Sequence, residues 1–183
     1  VHEKIYDSFI DEYKKQTEKL IYGDPLDLKT DLGPLSSQQQ AETVNDQLKR
    51  SLNKGAEIVT GGSMQNALFP PTLVKNVTPG MPLFDEEVFG PIAPVIKAKS
   101  TKEAVNLANR SKFGLGVSLF TSNLEKAEKL IPEFEDGAVF INAMVKSDPR
   151  LPFGGTKNSG HGRELSVHGI REFVNIKTVY LEE

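Results

Sequence analysis

"LPFGGTKNSGHGREL" (residues 151–165) sets four glycines, Gly154, Gly155, Gly160 and Gly162, between an apolar lead-in and Arg163-Glu164-Leu165. A loop this rich in glycine is a phosphate cradle, a flexible linker, or a turn shaped for close backbone approach. The Walker cradle needs a glycine pair with four residues between, then Lys and Ser/Thr, so that backbone amides and an ammonium meet phosphate oxygens. Gly155 and Gly160 have that spacing, but His161 and Gly162 follow them, so the cation and the hydroxyl are missing. The dinucleotide fingerprint fails as well. Gly160-His161-Gly162 would need a third glycine where Leu165 stands, and no clear strand runs directly into it. Flexible linkers are polar and featureless, which Leu151-Pro152-Phe153 is not. What remains is a loop whose glycines let the backbone approach something closely.

Outward from this loop the chain alternates between two periodicities. Residues 5–20 set Ile5, Phe9, Tyr13 and Leu20 near one face among charged residues, which predicts an amphipathic helix ended by Gly23-Asp24-Pro25. Ser36 or Ser37 caps a second helix to about Asn53, with Gly55 as its stop. Ile58-Val59-Thr60 then Gly61-Gly62 reads as a short strand and turn. Residues 72–78 and 91–98 are rich in β-formers, with Pro91 and Pro94 marking strand starts or edges. Thr101 caps the helix "KEAVNLANR", "GVSLFTS" (116–122) is a strand, Asn123 caps a helix to about Pro132, and "GAVFIN" (137–142) is a strand. Residues 164–173 read as helix. This alternation is the signature of an α/β layer with a mostly parallel sheet flanked by helices. A final strand is expected over 174–182, "VNIKTVYLE", with apolar residues on both faces. It pairs within its own sheet or adds to a partner's, since an exposed apolar edge is a liability.

The bulk composition bounds the function. At 183 residues the chain suits one domain or one lobe. About 70% of the unfolded surface is buried at this size, so a proper core is possible. A net charge of −3 with interspersed signs gives no basic footprint for nucleic acid and no polybasic face for a membrane. No apolar run approaches the roughly 20 residues a bilayer needs, and no signal peptide opens the chain. The absence of cysteine excludes disulfides, thiolate metal sites and cysteine nucleophiles at once. The chain starts at Val1 without an initiator Met, so a piece of a longer protein is expected. Without repeat, low-complexity segment or linker it reads as one domain, residues 1–173, followed by the strand 174–183.

Three clusters offer chemistry. Asp85-Glu86-Glu87 lies among Phe84, Val88 and Phe89, as acid/base groups, a cation site or a solvated turn. Neighbours on an extended chain point to opposite faces, so Glu86 and Glu87 cannot both serve one site. If one of the two is functional, the other is structural. A carboxylate can receive two ribose hydroxyls, the ordinary way to hold a nucleotide sugar. Ser147, Asp148 and Arg150 crowd into "VKSDPR" after strand 137–142, at the end of a strand where α/β sheets put their ligands, although an ion-paired turn fits the same residues. His2, His161 and His168 have no partners at metal-ligand spacing and read as surface residues.

"FDEEVFGPIAPV" (84–95), "FINAMVKSDPRLPFGGTKNSGHGREL" (140–165) and "VNIKTV" (174–179), with fainter echoes in "DLGPLSS" (31–37) and "FPPTLVKNV" (69–77), together resemble the catalytic domain of aldehyde dehydrogenases. The "VKSDPRLPFGG" variant is most similar to bacterial succinate-semialdehyde dehydrogenases. The resemblance implies oxidation of an aldehyde to its acid with NAD or NADP. In that chemistry a Cys thiolate attacks the carbonyl, hydride passes to the cofactor, and a Glu-activated water releases the acid. It assigns Glu87 to the nicotinamide ribose, Phe89 to the nicotinamide end of the cofactor, and Asn142 to orienting the loop and pocket. Phe153 becomes an aromatic wall of the aldehyde tunnel, beside the loop of Gly154, Gly155, Gly160 and Gly162. Ser147 and Arg150 become candidates for the far carboxylate of succinate semialdehyde. The family's nucleophilic Cys, general-base Glu and cofactor domain are expected upstream of Val1, so the chain alone should be inert. A homo-oligomer through the C-terminal strand, a small aldehyde substrate and a cytoplasmic location complete the expectation. The competing readings are a truncated, non-catalytic oligomerisation or binding module and a metal-dependent hydrolase built on Asp85, Glu86 and Glu87.

Overall fold

The computed structural model describes residues 1–183, which fold as two compact units, Val1–Ala104 and Val105–Glu183. In the first, a short 3-10 turn at Glu3–Ile5 leads into α1 (Tyr6–Thr17), followed by α2 (Gln38–Leu52), β1 (Glu57–Thr60), β2 (Thr72–Lys75), α3 (Pro82–Asp85) and β3 (Ile92–Pro94). β2 lies between its neighbours, antiparallel to β1 and parallel to β3. The core forms where the apolar stripe of α2, Ala41, Val44 and Leu48, meets Phe69, Val74, Val77, Leu83 and Ile92. Ser37 is the N-cap of α2, its Oγ accepting the Gln40 amide at 3.1 Å, and Gly55 follows its end with φ +101°. Both match the sequence reading, because a cap is a hydrogen bond between residues three apart and needs no distant partner.

α1 exists where expected but turns a different face inward. Tyr6, Ile10 and Thr17 are buried, whereas Ile5, Phe9, Tyr13 and Leu20 are exposed. Tyr6 decides it. Its hydroxyl donates to the Val95 carbonyl at 3.2 Å and accepts the Asn76 amide at 3.0 Å, while Leu73 and Val95 pack with it. A buried Tyr needs partners for its hydroxyl, and these come from the sheet, some 70 and 89 residues away. Two helical stripes of similar apolarity cannot be ranked by periodicity when that is the deciding term. The helix also stops at Thr17, whose Oγ1 donates to the Tyr13 carbonyl at 2.8 Å, well before Gly23.

The boundary between the units falls within α4 (Thr101–Asn109). Ser100, not Thr101, supplies its cap: Ser100 Oγ accepts the Glu103 amide at 3.1 Å, and Thr101 is the first helical residue. The second unit continues with β4 (Phe113–Gly114), β5 (Val117–Leu119), α5 (Leu124–Leu130), β6 (Val139–Ile141), β7 (Thr156–Lys157) and α6 (Ser166–Arg171). Asn123 caps α5 as expected, with Oδ1 on the Lys126 amide at 2.8 Å. β5 and β6 pair in parallel, and β4 and β7 pair antiparallel. The strands therefore form three small sheets in which parallel and antiparallel pairs alternate, in place of one mostly parallel sheet. Val105 and Ala127 are the buried apolar side chains of this unit.

The expected strand over 174–182 does not form. Residues 174–183 carry no regular structure, and Val174, Ile176, Val179, Tyr180 and Leu181 are all exposed. A strand is held by a neighbour's backbone groups, and no strand of this chain offers its edge to the segment. No helix of the chain is long and apolar enough to cross a membrane.

Candidate active-site elements

One face of α2 holds the segment 83–90. Ser51 Oγ accepts the Leu83 amide at 3.0 Å. Arg50 closes a fork on Glu86, Nη1 to Oε1 at 2.9 Å and Nη2 to Oε2 at 3.0 Å. Buried Gln47 donates through Nε2 to Glu86 Oε2 and to the Glu87 carbonyl, each at 3.1 Å. Gln40 Nε2 reaches the Phe89 carbonyl at 2.9 Å. Gly90 completes the fit, since a Cβ there would sit 2.8 Å from Val44 Cγ2.

The three adjacent carboxylates thus meet three different fates. Asp85 Oδ2 accepts the Gly80 amide at 2.9 Å, and Glu86 is committed to Arg50 and Gln47. Bonding to Glu86, then to Asp46, pushes the Arg50 guanidinium above its ordinary pKa. Glu87 contributes its backbone carbonyl to Gln47, but its carboxylate is exposed and makes no hydrogen bond or ion pair within the chain. Phe89, two residues on, is 67% exposed. Asp85 and Glu86 are therefore spoken for, and no group of carboxylates and histidines gathers as a metal site.

In the second unit Asn142 ends β6 with φ +53°, a left-handed conformation that Asn tolerates better than most residues. Its amide clamps Thr121 from both sides, Oδ1 on the Thr121 amide and Nδ2 on the Thr121 carbonyl, both at 2.8 Å. Side-chain bonds thereby tie together the loops that leave the parallel pair β5–β6. Arg150 pairs with Asp148, Nε to Oδ1 at 2.9 Å and Nη2 to Oδ2 at 2.6 Å, and this contact holds the Asp148 carboxyl below its ordinary range. Nη1 of Arg150 is left over. Ser147 is exposed.

The glycine loop folds back on itself. Phe153 and Glu164 exchange backbone hydrogen bonds at 2.9 and 2.8 Å. Arg163 Nη1 bridges the Gly155 and Gly162 carbonyls at 2.9 and 2.7 Å. A Cβ on Gly137 would collide with the Gly154 carbonyl oxygen, and one on Gly155 with Ser159, while Gly160 and Gly162 take φ +127° and +77° in open space. Close approach accounts for the first group and backbone conformation for the second. Lys157 secures the rear of the loop, donating to the Asn109 and Ser111 carbonyls at 2.7 and 3.1 Å and pairing with Glu135 at 2.7 Å. Phe153, Gly154, Gly155 and His161 line an open cavity of about 930 Å³; neither Ser147 nor Arg150 lines it, nor does Asn142.

The sequence model of the aldehyde dehydrogenase family matches residues 1–179. The chain belongs to this family. Among its relatives, a Mycobacterium tuberculosis protein named succinate-semialdehyde dehydrogenase [NADP(+)] 1 is 45% identical over 184 residues, covering 99% of this chain and 40% of the relative. The crystal structure of succinic semialdehyde dehydrogenase from Streptococcus pyogenes, in complex with NADP+, superposes with a TM-score of 0.93 at 41% identity, over all of this chain and 41% of that one. A betaine aldehyde dehydrogenase from Staphylococcus aureus, in complex with NAD+, gives a TM-score of 0.88 at 30% identity, over 94% of this chain and 36% of that one. The chain thus spans about 40% of the length of the curated relatives it matches. The resemblance in "FDEEVFGPIAPV" and the glycine loop extends to the fold of an aldehyde dehydrogenase.

Sequence reasoning missed Gln40, Gln47 and Arg50. One signal for Gln47 was available: it stands beside Leu48 on the inward side that Ala41 and Val44 mark as apolar, where a buried amide is costly unless bonded. Its partners lie 39 and 40 residues away and carry no local trace.

Proposed function

We propose that the full-length protein oxidises succinate semialdehyde to the acid with NADP+, and that this chain supplies the wall holding the nicotinamide end and the substrate-side loop. The carrying observation is the uncommitted Glu87 carboxylate beside the exposed Phe89, on a segment whose other two carboxylates, Asp85 and Glu86, are engaged. A free carboxylate acceptor next to an exposed aromatic fits a nicotinamide ribose, whose hydroxyls donate to it. The NADP+ named for the mycobacterial and streptococcal relatives favours that cofactor over NAD+.

A nicotinamide cofactor held there would supply the hydride acceptor. Glu87 would accept from the ribose hydroxyls, and Phe89 would pack beside the nicotinamide ring. Asn142 orients the loops at the ends of β5 and β6. Phe153 forms an apolar wall against the aldehyde chain, held by its backbone pairing with Glu164. Arg150, whose Nη1 is not engaged by Asp148, meets the far carboxylate, with Ser147 as a second donor. The chain has no cysteine, so the attacking thiolate belongs to chain outside these residues. The half-buried parallel pair β5–β6 supports the same division, since parallel sheets are covered on both faces. Homo-oligomerisation through the exposed apolar segment 174–181 and a cytoplasmic location belong to this proposal. A partner's sheet edge would satisfy the segment's backbone and cover Ile176, Val179 and Tyr180.

Full-length protein should reduce NADP+ with succinate semialdehyde, and the purified 183-residue chain should not. Turnover by the isolated chain, or none by the full-length protein with any aldehyde, would refute the reading.

A further inference from the structure

We infer that Gln40, Gln47 and Arg50 of α2 are positioning residues that set where Glu87 stands, so that cofactor geometry is controlled from the helix; this rests on the proposed role of Glu87. The three side chains follow one face of α2 and take hold of the segment on both sides of Glu87. Arg50 and Gln47 grip Glu86 before it, Gln47 holds its own carbonyl, and Gln40 holds Phe89 after it. Not one of them touches the Glu87 carboxylate. The segment is fixed while the group it presents is left free.

Gln47 shows that the arrangement is more than packing. It is 6% exposed, and its Oε1 has no hydrogen-bond partner. An orphaned buried acceptor destabilises a fold, and a leucine of similar volume would avoid that cost. Turning the amide over would aim oxygen at the Glu86 carboxylate and the Glu87 carbonyl, which repel it, so the observed orientation is the one the site permits. The amide makes two donations, and both end on the Glu86–Glu87 pair. Arg50 adds a planar fork that a lysine cannot reproduce, which fixes Glu86 in direction as well as distance.

The test uses the full-length enzyme and two probes: NADPH, followed by its nicotinamide fluorescence and by calorimetry, and the adenosine bisphosphate half of the cofactor, which lacks the nicotinamide ribose. Gln40→Ala, Gln47→Leu and Arg50→Lys are each expected to weaken NADPH binding by about twofold to tenfold and to dim its bound fluorescence. The adenosine half should bind as before. In a Glu87→Gln background the same substitutions should add nothing further, because they act through Glu87. Equal weakening of both probes, or losses that add to that of Glu87→Gln, would overturn the inference in favour of a structural role. Should Arg50→Lys fail to fold, half-buried Gln40 and the volume-conserving Gln47→Leu decide the matter. The failures separate cleanly. If Glu87→Gln leaves NADPH binding intact, the ribose reading falls and the inference with it. If Glu87→Gln weakens binding and the α2 substitutions do not, the inference alone falls.

Discussion

Glu86 gives both carboxylate oxygens to the Arg50 guanidinium, at 2.9 and 3.0 Å, and so leaves its neighbour Glu87 as the free acid of the pair. The division follows from backbone geometry. Glu86 is extended, φ −109° and ψ 152°, directly after the turn of α3, so adjacent side chains point apart. Glu86→Gln should therefore lower the thermal midpoint, and Glu87→Gln should leave it unchanged. In full-length enzyme Glu87→Gln should slow hydride transfer more than it weakens cofactor binding, on the order of a hundredfold for a misplaced reacting atom. Melting curves and single-turnover rates of the two variants check this. A larger rate loss in Glu86→Gln would reverse the assignment.

Arg150 enters the substrate proposal with one edge of its guanidinium already on Asp148. The remaining donors still meet a carboxylate. Arg150→Ala should raise KM for succinate semialdehyde by about tenfold to a hundredfold, the worth of a hydrogen bond to a charged group, and leave butanal nearly unaffected. Equal losses for both aldehydes would make Arg150 a loop residue paired with Asp148, and the carboxylate role would be lost.

Asp136 supplies a pH prediction. Burial pushes its carboxyl pKa up, against the opposing pull of Lys157. A raised acid penalises the folded state once it ionises, so the stability it contributes is present below the ordinary carboxylate value and lost as pH rises through the raised one. Asp136→Asn should consequently stabilise the protein at neutral pH, with the gain shrinking as pH falls through the raised value and gone below about 4. Denaturant midpoints of both proteins across that range test the sign. A gain that persists unchanged in acid would show that the charge was not the cause.

The glycines of the second unit should divide by mechanism. Gly137→Ala drives a methyl into the Gly154 carbonyl, a backbone atom that cannot step aside, and should cost about 1–3 kcal/mol or more. Gly160→Ala meets nothing within 4 Å and suffers only from its positive φ. Its cost should be about 1 kcal/mol. Equilibrium unfolding ranks the two, and Gly160→Ala as the more damaging would contradict the close-approach reading of Gly137.

Several features were legible in the sequence because the interactions behind them are local. Ser37, Asn123 and Gly55 mark helix ends through hydrogen bonds or backbone angles confined to a few neighbouring residues. The loop at 151–165 declared itself as shaped, not phosphate-binding, because the missing Lys and third glycine are positions in a row. Family membership was legible for a related reason: ordered fragments along the whole chain carry it, whatever each one touches. The face that α1 buries was not legible, since the partners of the Tyr6 hydroxyl, Val95 and Asn76, lie far along the chain and leave no trace in helical periodicity. Nor was the partner of Glu86, which lies 36 residues away on α2 and chooses between two adjacent acids. The tail at 174–183 is β-rich by composition and still unpaired, because a strand exists only where another edge receives it. Local chemistry therefore set the ends of elements and the character of the loops, and tertiary contact alone decided which side chains were consumed in holding the fold and which, like Glu87, were left free to act.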